Sequence, residues 1–187
     1  MASTFPTSLD TFTNPTATSL LTSPSHSLSH SDLNDAVEAL EAKVAIGNTV
    51  LGIYQAYTPT FTNLTVGDGT LAAQYCTVNK FVHAFGSFTF GATSIMGSIP
   101  HMTFPVNAVN TENGALGMIL GGVTYYDAST FLTYRGTVDG RAASSNCAFW
   151  VNNTSATYET AASPTASIPF TWATGDIIRW NMFYKAA

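Results

Sequence analysis

The sequence predicts a mainly β protein, a C-terminal β-sandwich of jelly-roll type preceded by an extended arm and one short coiled-coil helix. Three observations carry this. The chain is rich in Thr and aromatic residues, the latter 12% of the total, and such side chains fit a pleated, half-buried surface. From residue 48 onward, apolar runs recur between Gly, Asn, Asp and Pro, the pattern of strands joined by turns. Only one stretch, SPSHSLSHSDLNDAVEALEAKVAIG at residues 23–47, has a helical period.

Residues 1–30 read as an extended arm. Pro6, Pro15 and Pro24 each fix φ and remove a donor, which disfavours a regular helix or a central strand. The spaced Phe5, Leu9, Phe12, Leu20 and Leu21 have no use in a plain spacer. They are the expected anchoring residues of an arm that becomes ordered against a partner.

Residues 31–47 read as the helix with its stop. Ser31 is a suitable N-cap, Asp32 and Asp35 would place negative charge near the positive end of the dipole, and Gly47 suits the C′ position. Leu33, Val37, Leu40 and Val44 are spaced 4, 3, 4 and form a narrow heptad seam with Leu at d and Val at a. A helix of about 16 residues is marginal alone, so the seam must be covered. A helix packed on its own sheet usually carries a wider apolar face; the narrow stripe points to self-association, and this a/d pattern by itself leans toward two strands.

Residues 48–187 read as the β domain, with strands expected at Thr60–Val66, Leu71–Val78, Phe81–Phe90, Ile99–Val106, Leu116–Tyr125, Phe131–Val138, Cys147–Val151 and Ile177–Tyr184. Turns are expected at Gly67-Asp68-Gly69, Val78-Asn79-Lys80, Asp139-Gly140 and Gly175-Asp176. In the third strand Phe81, His83, Phe85, Ser87 and Thr89 share one face, and Val82, Ala84, Gly86, Phe88 and Phe90 the other. In the last, Ile178, Trp180, Met182 and Tyr184 oppose Ile177, Arg179, Asn181 and Phe183. Arg179 is a candidate for an ion pair between subunits. Crossovers of parallel strands need more chain than these connections offer.

Charge narrows the function. Charged residues are 9% of the chain, against about 25% in an average soluble domain, which suits a surface covered by copies of itself or by other proteins. The formal net charge is −5 and the six basic residues are scattered, so no nucleic-acid partner is expected. No apolar run is long enough to span a membrane, and MASTFPTSLD lacks the basic start and apolar core of a secretory signal. Cys76 and Cys147 are therefore expected as buried free thiols.

Chemistry is sparse. His26 and His30 have the i, i+4 spacing of a helical metal pair but no third ligand nearby, so no cofactor is expected. Asp68, Asp139 and Asp176 adjoin Gly, where Asp usually serves a turn, and Glu112, Asp127 and Glu159 form no evident pair of the kind glycoside hydrolysis needs. No nucleophile elbow or phosphate loop is present, and an enzyme is not expected. Tyr126, Tyr134 and Tyr158 have polar neighbours and are the candidate glycan-contacting residues.

TFTNPTATSLLTSPSHSLSHSDLNDAVEALEAKVAIG resembles the N-terminal segment of virion proteins of tailed phages, especially those of actinobacterial hosts. YTPTFTNLTVGDGTLAAQYCTVNKFVHAFGSFTFGATS is similar to the start of the β domain in their fibre and minor tail proteins. The likeness covers roughly residues 10–106; the remainder is compatible with a trimeric jelly roll similar to tumour-necrosis-factor-like heads. The resemblance implies a head decoration or short fibre, assembled in the host cytoplasm and located in the virion. Residues 1–30 would dock on capsid or tail proteins, the helix would join three chains, and the β domain would project outward, with host-surface carbohydrate as a further partner if it serves as a tail-tip adhesin. Three copies replace the two-strand lean of the seam, and the family brings no catalytic residues.

Overall fold

The computed structural model describes residues 26–44, 52–109, 118–140, 145–155 and 157–187. The expected anchoring residues Phe5, Leu9, Phe12, Leu20 and Leu21 lie outside these, as do the side chains of His26 and Val44. The chain divides into two units, Met1–Ile53 and Tyr54–Ala187.

In the first unit, helix α1 spans His26–Val44. It begins five residues before Ser31, so residues 26–30 are helical rather than part of an extended arm, Ser31 is interior rather than a cap, and Asp32 and Asp35 lie past the first turn. No Gly or Pro separates His26 from Ser31, so a nucleated helix continues through the intervening Ser, Leu and His at modest cost. Positions 26 and 30 precede Leu33 with the same alternating spacing of 4 and 3. Leu33, Val37 and Leu40 are 56%, 45% and 53% exposed.

The second unit is all β. Its strands are β1 (Gln55–Ala56), β2 (Phe61–Thr65), β3 (Thr70–Val78), β4 (Phe81–Thr89), β5 (Ile95–Thr103), β6 (Ile119–Asp127), β7 (Leu132–Gly140), β8 (Asn146–Asn153), β9 (Thr160–Ala162) and β10 (Ile177–Lys185). They form one antiparallel sheet in the order β1-β3-β4-β10-β6-β7-β8-β5-β2, with β9 added beside β8. The last strand is thus central, inserted between β4 and β6. Where a two-sheet sandwich was expected, the hydrogen-bonded ladder is continuous.

The sheet curls because its two ends come from adjacent chain. Tyr57 donates its N–H to Ala73 of β3 at 3.1 Å, and Thr60 accepts from the N–H of Thr103 of β5 at 3.0 Å. Those three steps of chain reach at most about 11 Å, so one edge is drawn toward the other. Phe61 of β2 accordingly meets Phe88 of β4, Trp180 of β10 and Phe149 of β8 at ring separations of 6.2, 6.1 and 6.3 Å.

Strict alternation then sorts the side chains. Ile178, Trp180, Met182 and Tyr184 of β10 are buried, as are Val82, Ala84 and Phe88 of β4, on the faces that the sequence assigns. Gly86 pairs with Trp180, and a Cβ there would lie 2.4 Å from the indole, so only glycine leaves room for that ring. Both cysteines are free and buried.

Three expectations shift. β5 starts at Ile95 rather than Ile99 because Thr65 and Leu64 of β2 pair with Ile95 and Met96, before the register shifts at Asn63. Asn63 adopts φ 66° and donates to the Ile99 carbonyl, and Pro100, without an N–H, lies in the stretch that loops past it. Asp139-Gly140 is not a turn but the end of β7, with Gly140 bonded to Met118 and paired with Cys147. The two- and three-residue strands β1 and β9 carry no alternation long enough to read from sequence.

Candidate functional site on the outer face of the sheet

Strand pairing arranges the outward side chains in cross-strand rows, and two neighbouring regions of the outer face stand out. The first is aromatic and lies over β3, β4 and the C-terminal half of β10. Val78 pairs with Phe81, and Cys76 with His83, which pairs in turn with Phe183. Phe81 stacks on Phe183 at 5.6 Å, and His83 stacks on Phe183 at 4.3 Å with the planes 11° apart. Phe81 and Phe183 nevertheless remain 53% and 46% exposed.

The imidazole is fixed from both sides, its Nδ1 2.7 Å from the Tyr54 hydroxyl and its Nε2 2.9 Å from Asn181 Oδ1. Tyr54 also meets Phe85 edge-on at 5.2 Å. Desolvation against the sheet, with the Cys76 thiol beside it, raises the Tyr54 phenol above its ordinary value. Such locking removes rotamer freedom from the aromatic strip before any partner arrives, which lowers the entropy lost on binding.

The second region is a shallow groove over β10, β6 and β7. Arg179 pairs with Thr124, and Thr124 with Arg135, so two guanidinium side chains flank one threonine in a single row. The next row is Asn181, Gly122 and Thr137; the glycine leaves its floor without a side chain. Gly122, Val123, Thr124, Arg135, Gly136, Arg179, Trp180 and Asn181 border an open space of about 340 Å³. Arg179 also stands 5.8 Å from the Tyr126 ring centre, within reach of a cation–π attraction.

The sequence-derived candidates separate. Tyr126 borders this groove through Arg179, whereas Tyr134 turns inward and packs on Phe170 at 5.3 Å, because its neighbours Gly136 and Val138 fix the inward phase of β7. Tyr158 is exposed between β8 and β9. Arg135 was not singled out by the sequence; no local pattern shows that β7 lies beside β6 in the register that brings it to Arg179.

Asp68, Asp127 and Asp176 serve turns. Asp68 Oδ1 accepts from both the N–H and hydroxyl of Thr93 at 2.8 Å, and these bonds hold its carboxyl below the usual range. Asp176 accepts from the N–H groups of Ala128 and Ala173. The hydroxyls of Ser129 and Thr130 donate to Asp127 at 2.7 Å and lower it likewise. Burial pushes Cys147, Tyr57, Tyr125 and Tyr184 upward, toward their neutral forms. Among the described residues no group of three or more His, Cys, Asp or Glu is placed to hold a metal, and no helix is long and apolar enough to cross a membrane.

Comparison of the chain with protein-family models, with curated proteins and with solved structures finds no match in any of the three.

Proposed function

We propose that the protein is a structural appendage of a tailed-phage virion, a homotrimeric head-decoration or short fibre protein. In this reading residues 1–30 carry the attachment to the particle, α1 joins three chains through a coiled coil, and the jelly-roll-like β domains cover one another through the aromatic strip. The observation that carries it is the strip itself: a fixed, exposed run of Phe81, Phe183, Tyr54 and Val78 on a chain only 9% charged. Contiguous apolar surface of this kind marks interaction sites.

The magnitudes require both contacts. Covering the half of Phe81 and of Phe183 that remains exposed contributes about half of the 1.5–3 kcal/mol of full burial each, while association costs roughly 4–15 kcal/mol in lost freedom. The strip alone does not hold a complex together, and neither does a helix of five turns. Joined in one chain, each raises the effective concentration of the other.

Sedimentation equilibrium of the full chain at micromolar concentration tests this. A mass near three times the 19.8 kDa protomer is expected, and Leu40→Asp or Phe183→Asp should lower it by placing charge in the seam or the strip. A monomer mass for the unaltered chain would overturn the reading; a trimer indifferent to both substitutions would leave trimerisation but remove these surfaces from it.

A further inference from the structure

We propose that the groove between β10, β6 and β7 binds an acidic saccharide, whose carboxylate is held between Arg135 and Arg179. This goes beyond the oligomeric reading and does not depend on it.

The first argument is charge. The whole chain has six basic residues, yet two of them stand in one cross-strand row, each one strand away from Thr124. Strands lie about 4.8 Å apart, so the two backbones are about 10 Å from each other, and two long side chains can converge on one anion between them. No carboxylate lines the groove among the described residues. An anion seated between the two guanidinium groups would be attracted by both. Arginine is the residue suited to a planar carboxylate, since its fork presents parallel donors.

The second argument is shape. A Cβ built on Gly122 would meet only the Gly136 carbonyl, at 3.9 Å. The sheet thus has room for a side chain at this position, and the sequence leaves it open. The resulting space of about 340 Å³ is at the small end of ligand sites, the size of one or two sugar rings rather than a peptide or a duplex.

The third argument is the rest of the lining. Thr124 and Asn181 offer neutral donors and acceptors suited to sugar hydroxyls, and the Tyr126 ring beside Arg179 gives a flat edge for a pyranose face. Two cations in an otherwise neutral site fit a single anionic group; a nucleic-acid backbone needs an extended basic track.

The test titrates the full chain with glucuronic acid and with N-acetylneuraminic acid, against methyl glucoside and inorganic sulfate, by calorimetry and by amide shifts. At least one acidic sugar is expected to bind about tenfold or more tightly than the neutral sugar and than sulfate. Arg135→Gln and Arg179→Gln should each weaken it by about tenfold or more. Gly122→Val should abolish binding by filling the floor while leaving both charges, the unfolding temperature and the sedimented mass unchanged. If neither acidic sugar binds, if methyl glucoside or sulfate binds equally well, or if all three variants retain wild-type affinity, the assignment is wrong. It is also wrong if the arginine variants dissociate the oligomer, since the row would then seat a carboxylate from a neighbouring copy. Should Gly122→Val fail to fold, the two arginine variants decide alone.

Discussion

Inward from β10, Ile178, Trp180, Met182 and Tyr184 are buried among Val82, Phe88, Val123 and Phe149; outward, Arg179, Asn181 and Phe183 lie open beside Phe81, His83 and Thr124. Both faces of this one strand carry large side chains, so size does not distinguish them. The difference lies in how the partners are supplied. Inside, the curl of the sheet brings Phe61 from the far edge against Phe88, Phe149 and Trp180, and the chain closes on itself. Outside, the stacks are only between neighbouring strands, Phe81 on Phe183 and His83 on Phe183, and their far sides face solvent. The inner face is finished by folding, whereas the outer face is ordered but exposed.

The largest expected effect breaks the inner side. Phe88 has no exposed surface, and Phe88→Ala should destabilise the β unit by about 3–5 kcal/mol through lost burial and a residual cavity. Phe183→Ala removes a ring of the same size from the outer face and should cost under about 1 kcal/mol in the dissociated protein, as exposed substitutions do. Denaturant midpoints measured at low protein concentration compare the two. Equal losses would mean that the outer stack is part of the core and not a surface awaiting a partner.

Gly86→Ala tests the same face by overfilling it. The added methyl would lie 2.4 Å from Trp180 and 2.7 Å from the Ala72 carbonyl, and neither a packed indole nor a strand carbonyl yields freely. A loss of about 1–3 kcal/mol is expected. Pairing it with Trp180→Leu should recover part of that loss, and a double-mutant cycle reads the coupling.

These faces were legible in the sequence to different degrees. β10 alternates without interruption over nine residues, and β4 does so except at Gly86, so burial of one face writes a clear period of two. α1 was legible as a helix, but its start was not, because Ser and His between positions 26 and 31 neither favour a helix nor stop one. β5 was blurred by Gly97 and Pro100 at the Asn63 bulge. The arginine groove was out of reach, since Arg179, Thr124 and Arg135 come from three strands whose adjacency is set by the whole topology. Tyr126 and Tyr134 differ by one strand position and a reversed phase, which no local reading of two tyrosines decides.

A smaller effect concerns the rim, where the inward face ends in carboxylates turned onto the backbone. Asp127 is held below the usual range by the hydroxyls of Ser129 and Thr130 and by their N–H groups. A carboxyl lowered in the folded state adds stability above its unfolded value, about pH 4, and that contribution is lost as pH falls through the folded value. The unfolding temperature should therefore fall on acidification below about pH 4, and Asp127→Asn should flatten part of that fall. Asp68, lowered by Thr93, has the same sign and accounts for a further part. Identical pH profiles for the variant and the unaltered protein would show that this turn contributes nothing to acid sensitivity.

The smallest expected effect is on the outer side. Phe131 closes the β6–β7 connection with φ 60° and its N–H bonded to the Asp127 carbonyl at 2.9 Å, yet 77% of the residue is exposed. A bulky residue in the left-handed region is disfavoured, and asparagine occupies that region more readily. An exposed ring recovers little of that strain by packing. Phe131→Asn should therefore raise stability by about 0.5 kcal/mol, read as a small upward shift of the denaturant midpoint. A fall would mean that the ring is held by contacts within the protomer. A rise in the isolated protomer accompanied by weaker assembly would place Phe131 with Phe81 and Phe183, among the side chains whose packing is completed only by another copy.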